Sequence, residues 1–274
     1  MTSARAALSI AAQKLRGIAE NPMAEAQWLL ARALNMPPQR LLLELDRAAP
    51  NGQFAALVER RAGGEPIAYI LGEAPFGGLM LRVGPGVLIP RADSEVLIDA
   101  ARTQFAGHPP ATILDLGTGP GTLLLSALHL WPTASGIGVD VSDVALSYAR
   151  DNAARLGFAS RAQWLVGDWG DGGSADLILA NPPYIGTSEV IDKSVADFEP
   201  ALALYAGEDG LDAYRALLPT LAARIHSGGA AIVEIGWQQG ETVSGLAQAH
   251  GLAWQLLPDL AGRDRALLLT PLLP

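Results

Sequence analysis

From residue 92 onward the chain alternates short apolar runs with longer helical stretches, and no other feature of the sequence restricts the fold as strongly. The runs are TILDLG, GIGVD, AQWLVGD, ADLILANPP and GAAIVEIGW, followed by LAWQLL and RALLLTP. Strand-length apolar runs separated by helices build βαβ units. Their crossovers give a mostly parallel sheet with helices on both faces, an α/β fold. Ligands in such sheets bind beyond the carboxyl ends of the strands, where the winding changes direction.

The residues before this region read differently. Over residues 4–62 the pattern is helical: Asn21 and Pro22 suit an N-cap and first helical position before MAEAQWLLARAL, and NGQFAALVERRAGG ends in a glycine stop. Residues 66–90 are rich in β-formers broken by Gly and Pro, which predicts a hairpin joining two domains. The expected division is a small helical domain over 1–65, a hairpin linker over 66–90 and a catalytic domain over 91–274. A chain of 274 residues is long enough for such a pair of domains.

The first strand of the α/β region ends in Gly117-Thr118-Gly119-Pro120-Gly121 and runs into TLLLSALHLW. Glycines there let the backbone turn sharply and approach a ligand closely. Asp140 ends the next strand, where a carboxylate can accept hydrogen bonds from both hydroxyls of a ribose. Asp168 and Trp169 end the third, where an adenine would find a carboxylate and an aromatic ring. The glycine spacing is Gly-x-Gly-x-Gly, not the Gly-x-Gly-x-x-Gly of dinucleotide sites, so an adenosyl-amino-acid cofactor is favoured over a pyrophosphate. Asp115, just before the loop, either caps the turn or orients a cationic cofactor.

The strand ADLILA ends in Asn181-Pro182-Pro183-Tyr184. An amide or exocyclic amino nitrogen is a poor nucleophile, because its lone pair is delocalised. If the Asn181 side-chain oxygen and the Pro182 carbonyl each accept one N–H, the lone pair is directed at the electrophile. Pro182 and Pro183 fix the backbone without competing donors, and Tyr184 can stack on a planar acceptor. A glutamine amide, adenine N6 and guanine N2 all satisfy this geometry.

Charge helps to separate these acceptors. The net charge of -9 divides into +2 over residues 1–65 and -11 over 66–274. An acidic catalytic region disfavours a phosphate backbone, so no nucleic-acid partner is expected. The absence of cysteine removes thiolate chemistry, and the four histidines have no ligand spacing, so no metal site is expected. No apolar run approaches a membrane span, and the start has no h-region; a cytoplasmic monomer is expected.

Together these residues resemble the bacterial protein-(glutamine-N5) methyltransferases that modify peptide chain release factors. Beyond GTGPG and NPPY, the resemblance is carried by Arg61 with the run Gly64 to Gly72, by Leu88-Ile89-Pro90-Arg91 with Asp93, Ser94 and Glu95, and by Phe198-Glu199-Pro200. It continues through Gly210-Leu211, Tyr214-Arg215 and the run Glu234 to Gly240. Pro120 departs from the small polar residue common in relatives, and Ala92 and Ser94 replace the usual Pro and Thr.

The resemblance implies a class I S-adenosylmethionine-dependent methyltransferase with a Rossmann-like seven-stranded sheet. It implies the glutamine of a Gly-Gly-Gln loop as acceptor and release factors as partners. By it, Gly117, Thr118, Gly119, Pro120, Gly121, Asp140, Trp169 and Asn181 line the cofactor site, joined by Asp168 from the reading above, and Asn181 to Tyr184 bind the acceptor. A methyltransferase of a ribosomal-protein glutamine, a nucleic-acid amino-methyltransferase and a non-catalytic cofactor-binding regulator are the alternatives. Arg60 and Arg61 read either as contacts to an acidic partner or as exposed helix-end charges.

Overall fold

The computed structural model describes residues 3–46 and 52–272. Its contacts divide the chain into two compact units, one of residues 1–73 with 191–198 and one of 74–190 with 199–274.

The first unit is helical: α1 (Ala4–Lys14), α2 (Pro22–Ala33), α3 (Pro38–Leu41), α4 (Gln53–Ala62) and α5 (Ile67–Leu71). The cap expected for α2 is present, with the Asn21 side chain accepting from the Ala24 N–H at 3.1 Å and Pro22 at the first helical position. Asn51, read with α4, lies outside the described residues. Leu8, Leu15, Leu29, Leu30, Leu41, Phe54, Val58 and Ile70 form the unit's core.

Arg61 is neither an exposed charge nor a free contact, which corrects both expectations for it. It is buried, and its Nε donates to the buried Glu25 carboxylate at 2.6 Å while other guanidinium nitrogens reach the carbonyls of Ile18 and Glu65. Arg60, in contrast, pairs with Glu65 at the surface.

The hairpin is shorter than the segment 66–90 suggests. It comprises β1 (Glu73–Phe76) and β2 (Leu79–Arg82), because Pro66 precedes a helical turn that runs to Gly72, where φ is +80°. Gly77 and Gly78, both at positive φ, close the hairpin.

The second unit continues with a 3-10 turn at Ala92–Ser94, α6 (Glu95–Gln104), β3 (Thr112–Leu116), α7 (Thr122–Leu130), β4 (Ser135–Asp140), α8 (Asp143–Leu156), β5 (Ala162–Val166) and β6 (Ala175–Ala180). After α9 (Lys193–Phe198), which belongs to the first unit, come α10 (Asp212–Leu221), β7 (Ile225–Glu234), α11 (Gly240–Ala249), β8 (Leu252–Pro258) and β9 (Asp264–Pro271). The seven-stranded sheet has the order β5-β4-β3-β6-β7-β9-β8, parallel except for the reversed β9. Successive residues of the central strands face opposite sides. Ile113, Leu177, Leu179 and Ile232 pack with Leu97, Leu124 and Leu128 of α6 and α7. Leu114, Ile178 and Val233 pack with Leu217, Leu221 and Val243 of α10 and α11. No helix among the described residues is long and apolar enough to cross a membrane.

The winding leaves β3 for β4 and β5 on one side and for β6 and β7 on the other, so the topological switch lies between β3 and β6. Leu116 and Ala180 are register partners at the ends of these two strands. The two motifs singled out in the sequence therefore start side by side.

Candidate active site

The loop after β3 carries Gly117, Gly119 and Gly121 at φ of +70°, +57° and +85°. At Gly117 a β-carbon would stand 3.2 Å from the Trp169 ring, so the backbone itself forms the wall there. The Thr118 side chain turns inward: it is buried, and its hydroxyl donates to Asp115 at 2.5 Å. The same Asp115 oxygen accepts from the Leu124 N–H at 3.0 Å, which ties the loop to the first turn of α7. The other oxygen is buried with no hydrogen-bond partner. Burial pushes the Asp115 carboxyl up to about 7, against the pull of the Thr118 and Leu124 bonds.

Asp140, at the end of β4, accepts from the Gly119 N–H at 2.8 Å and the Ser142 N–H at 2.9 Å. Burial raises its pKa, and these backbone donors oppose the shift. Two adjoining cavities open at this end of the sheet. The larger, of about 440 Å³, takes Gly117, Gly119, Asp140, Asp168, Trp169, Asn181 and Pro183 into its wall. The smaller, of about 40 Å³, is lined by Asp115, Thr118, Pro120 and Ser94, and shares Leu88, Gly117, Gly119 and Asn181 with the first. No described residue lining the larger cavity is basic, and three are aspartates. That charge suits a cationic or hydroxyl-bearing ligand and not a pyrophosphate.

Three of the expected site residues stand apart from both cavity walls. Gly121 is the N-cap of α7. Pro182 is buried. Tyr184 packs its ring against the core on the α10–α11 side, where burial and the nearby Glu234 charge push its hydroxyl up to about 12.

Two family models match the chain: a PrmC N-terminal domain over residues 6–72 and a methyltransferase domain over residues 108–215. A release factor glutamine methyltransferase from Moorella thermoacetica is 42% identical over 275 residues, covering 96% of this chain and 97% of that protein. The protein of the same name from Cereibacter sphaeroides is 44% identical, covering 88% of each. The chain belongs to the release factor glutamine methyltransferase family. Solved structures share its fold at low identity. A methyltransferase from Pyrococcus furiosus has a TM-score of 0.52 at 18% identity, covering 70% of this chain and 88% of that one. A T. thermophilus 16S rRNA N2 methyltransferase in complex with AdoMet and guanosine has a TM-score of 0.51 at 20% identity, covering 73% and 49%.

Several side chains that single-sequence reasoning did not assign hold the site in shape. Asn152 of α8, fully buried, donates to the carbonyls of Pro120 and Arg82 and accepts from the Arg82 N–H, tying the glycine loop to the hairpin. Arg224, just after α10, donates to the carbonyls of Trp169, Asp171 and Gly173 and so fixes the loop that carries Asp168 and Trp169. Glu199 accepts from the Ile89 N–H and from Arg91, anchoring the segment that supplies Leu88 to both cavities. Gln239 clamps the acceptor loop, donating to the Tyr184 carbonyl at 3.0 Å and accepting from the Gly236 N–H at 3.0 Å. Only the runs around Glu199 and Gln239 gave any sequence signal, and that signal was resemblance without a role.

Gly210 makes the Gln239 clamp possible. Its φ is +71°, and a β-carbon there would stand 2.3 Å from the Tyr184 carbonyl oxygen. Gly210→Ala is expected to cost about 1–3 kcal/mol in stability, because the conformation and the contact are both unfavourable. The acceptor loop should shift, so kcat should fall with the melting temperature while cofactor affinity changes least; unchanged kcat would detach this clamp from catalysis.

Proposed function

We propose that this chain transfers the methyl group of S-adenosylmethionine to the side-chain amide nitrogen, N5, of the glutamine in the Gly-Gly-Gln loop of peptide chain release factors. The observation that carries the proposal is the adjacency of the two loops: the glycine loop and Asn181 leave paired residues at the ends of β3 and β6, and Asn181 lines both cavities. The helical unit, read from the sequence as residues 1–65, recognises the release factor, and the protein acts as a cytoplasmic monomer.

The residues present fit the cofactor. The aspartate-lined, lysine- and arginine-free wall of the larger cavity suits an adenosyl group with a sulfonium, and the unpartnered Asp115 oxygen beside the smaller cavity suits an ammonium. Asp140 would hold the ribose hydroxyls, with Asp168 and Trp169 at the adenine. Gly117, Gly119 and Gly121 shape the loop, Thr118 braces it from inside, and Pro120 faces the smaller cavity. When bound, S-adenosylmethionine supplies an electrophilic methyl group.

The chain's own part is to make a delocalised nitrogen attack. Asn181 Oδ1 and the Pro182 carbonyl each accept one N–H of the glutamine amide, which turns its lone pair toward the methyl. Pro182 and Pro183 offer no competing N–H, and Pro183 borders the acceptor from the larger cavity. As the new N–C bond forms and the S–CH3 bond breaks, its electron pair staying on the departing S-adenosyl-L-homocysteine, the nitrogen becomes cationic and its N–H acidic. The proton then leaves to water without a dedicated base. Tyr184 contributes by packing and by its clamped carbonyl, holding the end of the tetrapeptide.

Asp140→Ala is expected to weaken S-adenosylmethionine binding about 10- to 100-fold in titration calorimetry, the loss of a charge-assisted hydrogen bond of ~1.5–3 kcal/mol. Unchanged affinity would make Asp140 a purely structural brace for Gly119 and Ser142. The function itself is tested by incubating a release factor with methyl-labelled S-adenosylmethionine, beside a variant whose Gly-Gly-Gln glutamine is alanine. One methyl group on the first and none on the second is expected. Label on both proteins would contradict the proposed acceptor, and label on neither would redirect the search to ribosomal proteins and then to nucleic acids.

A further inference from the structure

Ser94 stands at the N-cap of α6, the position where a serine hydroxyl ordinarily accepts from an N–H of the first helical turn. It makes no such bond, and its backbone is helical, with φ -71° and ψ -11°, because the 3-10 turn Ala92–Ser94 leads straight into the helix. The hydroxyl is buried and directed elsewhere: the Asn181 amide nitrogen donates to Ser94 Oγ at 3.1 Å. Burial pushes the Glu234 carboxyl at the end of β7 up to about 7, and the Ser94 hydroxyl opposes that shift. Arg265, Arg91 and Asp93 are the further charges acting on Glu234, and Arg265 pairs with Asp93 at 3.2 Å.

A hydroxyl oxygen keeps lone pairs beside its one hydrogen, and here a lone pair of Ser94 faces Asn181. The Asn181 group facing Ser94 is the NH2, which directs Oδ1 away from Ser94. An asparagine amide has two nearly isosteric orientations, and only one presents an acceptor to an incoming N–H. We infer that Ser94 is a positioning residue for methyl transfer: by accepting from Asn181 Nδ2 it selects the amide orientation in which Oδ1 meets the substrate amide. The inference rests on the proposed glutamine chemistry and adds to it a residue that acts through Asn181.

Without the Ser94 hydroxyl the Asn181 amide is free to rotate, and an NH2 presented to the substrate repels the N–H it should accept. Wild type, Ser94→Ala and Ser94→Thr are compared in steady-state release factor methylation, with S-adenosylmethionine affinity and thermal unfolding measured on each. Ser94→Ala should lower kcat about tenfold or more, the scale of a misdirected catalytic group, with cofactor affinity within about twofold. Ser94→Thr, which restores a hydroxyl, should recover most of kcat. A Ser94→Ala kcat within about threefold of wild type would overturn the inference, as would an alanine variant whose loss of kcat follows loss of stability.

A second readout does not depend on activity. The Asn181 side-chain NH2 resonance, assigned by its absence in Asn181→Ala, should move and exchange faster with water in Ser94→Ala, but stay near its wild-type position in Ser94→Thr. Unmoved signals in Ser94→Ala would refute the contact. Wild-type protein that fails to methylate a release factor, yet shows these shifts, would locate the error in the acceptor and not in the orientation of Asn181.

Discussion

Asn181→Ala is expected to lower the turnover of release factor methylation by roughly 100- to 1,000-fold, the usual loss for one preorganised polar group at a reacting centre. S-adenosylmethionine should still bind, because Asp140, Asp168 and the glycine loop remain in place around the larger cavity. The large factor follows from the acceptor's chemistry. An amide nitrogen holds its lone pair in conjugation with its carbonyl, and two acceptors aligned on its N–H bonds are needed to turn that pair outward. With Asn181 gone only the Pro182 carbonyl is left, and it cannot fix the amide plane alone. Single-turnover kinetics separate this from a binding defect: the methyl-transfer rate should collapse while the affinity for cofactor falls far less. Turnover within a few-fold of wild type would remove Asn181 from the mechanism.

Glu25→Ala should produce the largest loss of stability, about 3–5 kcal/mol in the helical unit, because it strands the buried Arg61 charge. The arginine keeps its bonds to the Ile18 and Glu65 carbonyls, but those dipoles do not neutralise a guanidinium removed from water. Hydrogen exchange of α2 and α4 reads the effect locally, so unfolding of the second unit does not mask it. Replacing both partners with apolar residues, Glu25→Leu with Arg61→Met, should recover most of the loss, since the charge and its desolvation disappear together. A single-variant loss below ~1 kcal/mol would mean that water reaches Arg61. Were Arg61 instead a partner contact, its replacement would weaken release factor binding and leave exchange unchanged.

Arg61 also shows where sequence reasoning stopped. A basic residue in the last turn of a helix carries the same local signal whether it is solvated or buried; its partner, Glu25, lies 36 positions away, and that pairing is a product of helix packing. The sheet was legible because each strand announces itself locally: all seven apolar runs became β3 to β9. The Asn21 cap was legible for the same reason, one side chain acting three residues ahead. Pro66 misled in the other direction, since a proline before apolar β-formers opens either a strand or a helical turn, and packing chose the turn.

The site divides along the same line. Gly117, Gly119, Asp140, Asp168, Trp169 and Asn181 follow strand ends, so topology alone brings them to one cavity. Thr118 lies in the same motif but turns inward, because its hydroxyl shields a buried carboxylate that no pattern marks as buried. Tyr184 is drawn to the core by its ring and held by Gln239, 55 positions further on. Asn152 and Arg224 act entirely through such distant contacts, and a single sequence has no period or motif that exposes them; Ser94 stood in a run that carried the resemblance, but its contact to Asn181 is 87 positions away.

The central claim is that the loop from Asn181 to Tyr184 directs methylation to an amide nitrogen, and the most direct measurement is chemical. A release factor labelled from methyl-labelled S-adenosylmethionine by this protein is hydrolysed in strong acid, the hydrolysate is made alkaline, and the volatile product is identified. An N-methylated glutamine amide must yield labelled methylamine, and that is the expected result. Labelled methanol, which a methyl ester would give, or label retained on a non-volatile amino acid, would contradict the account.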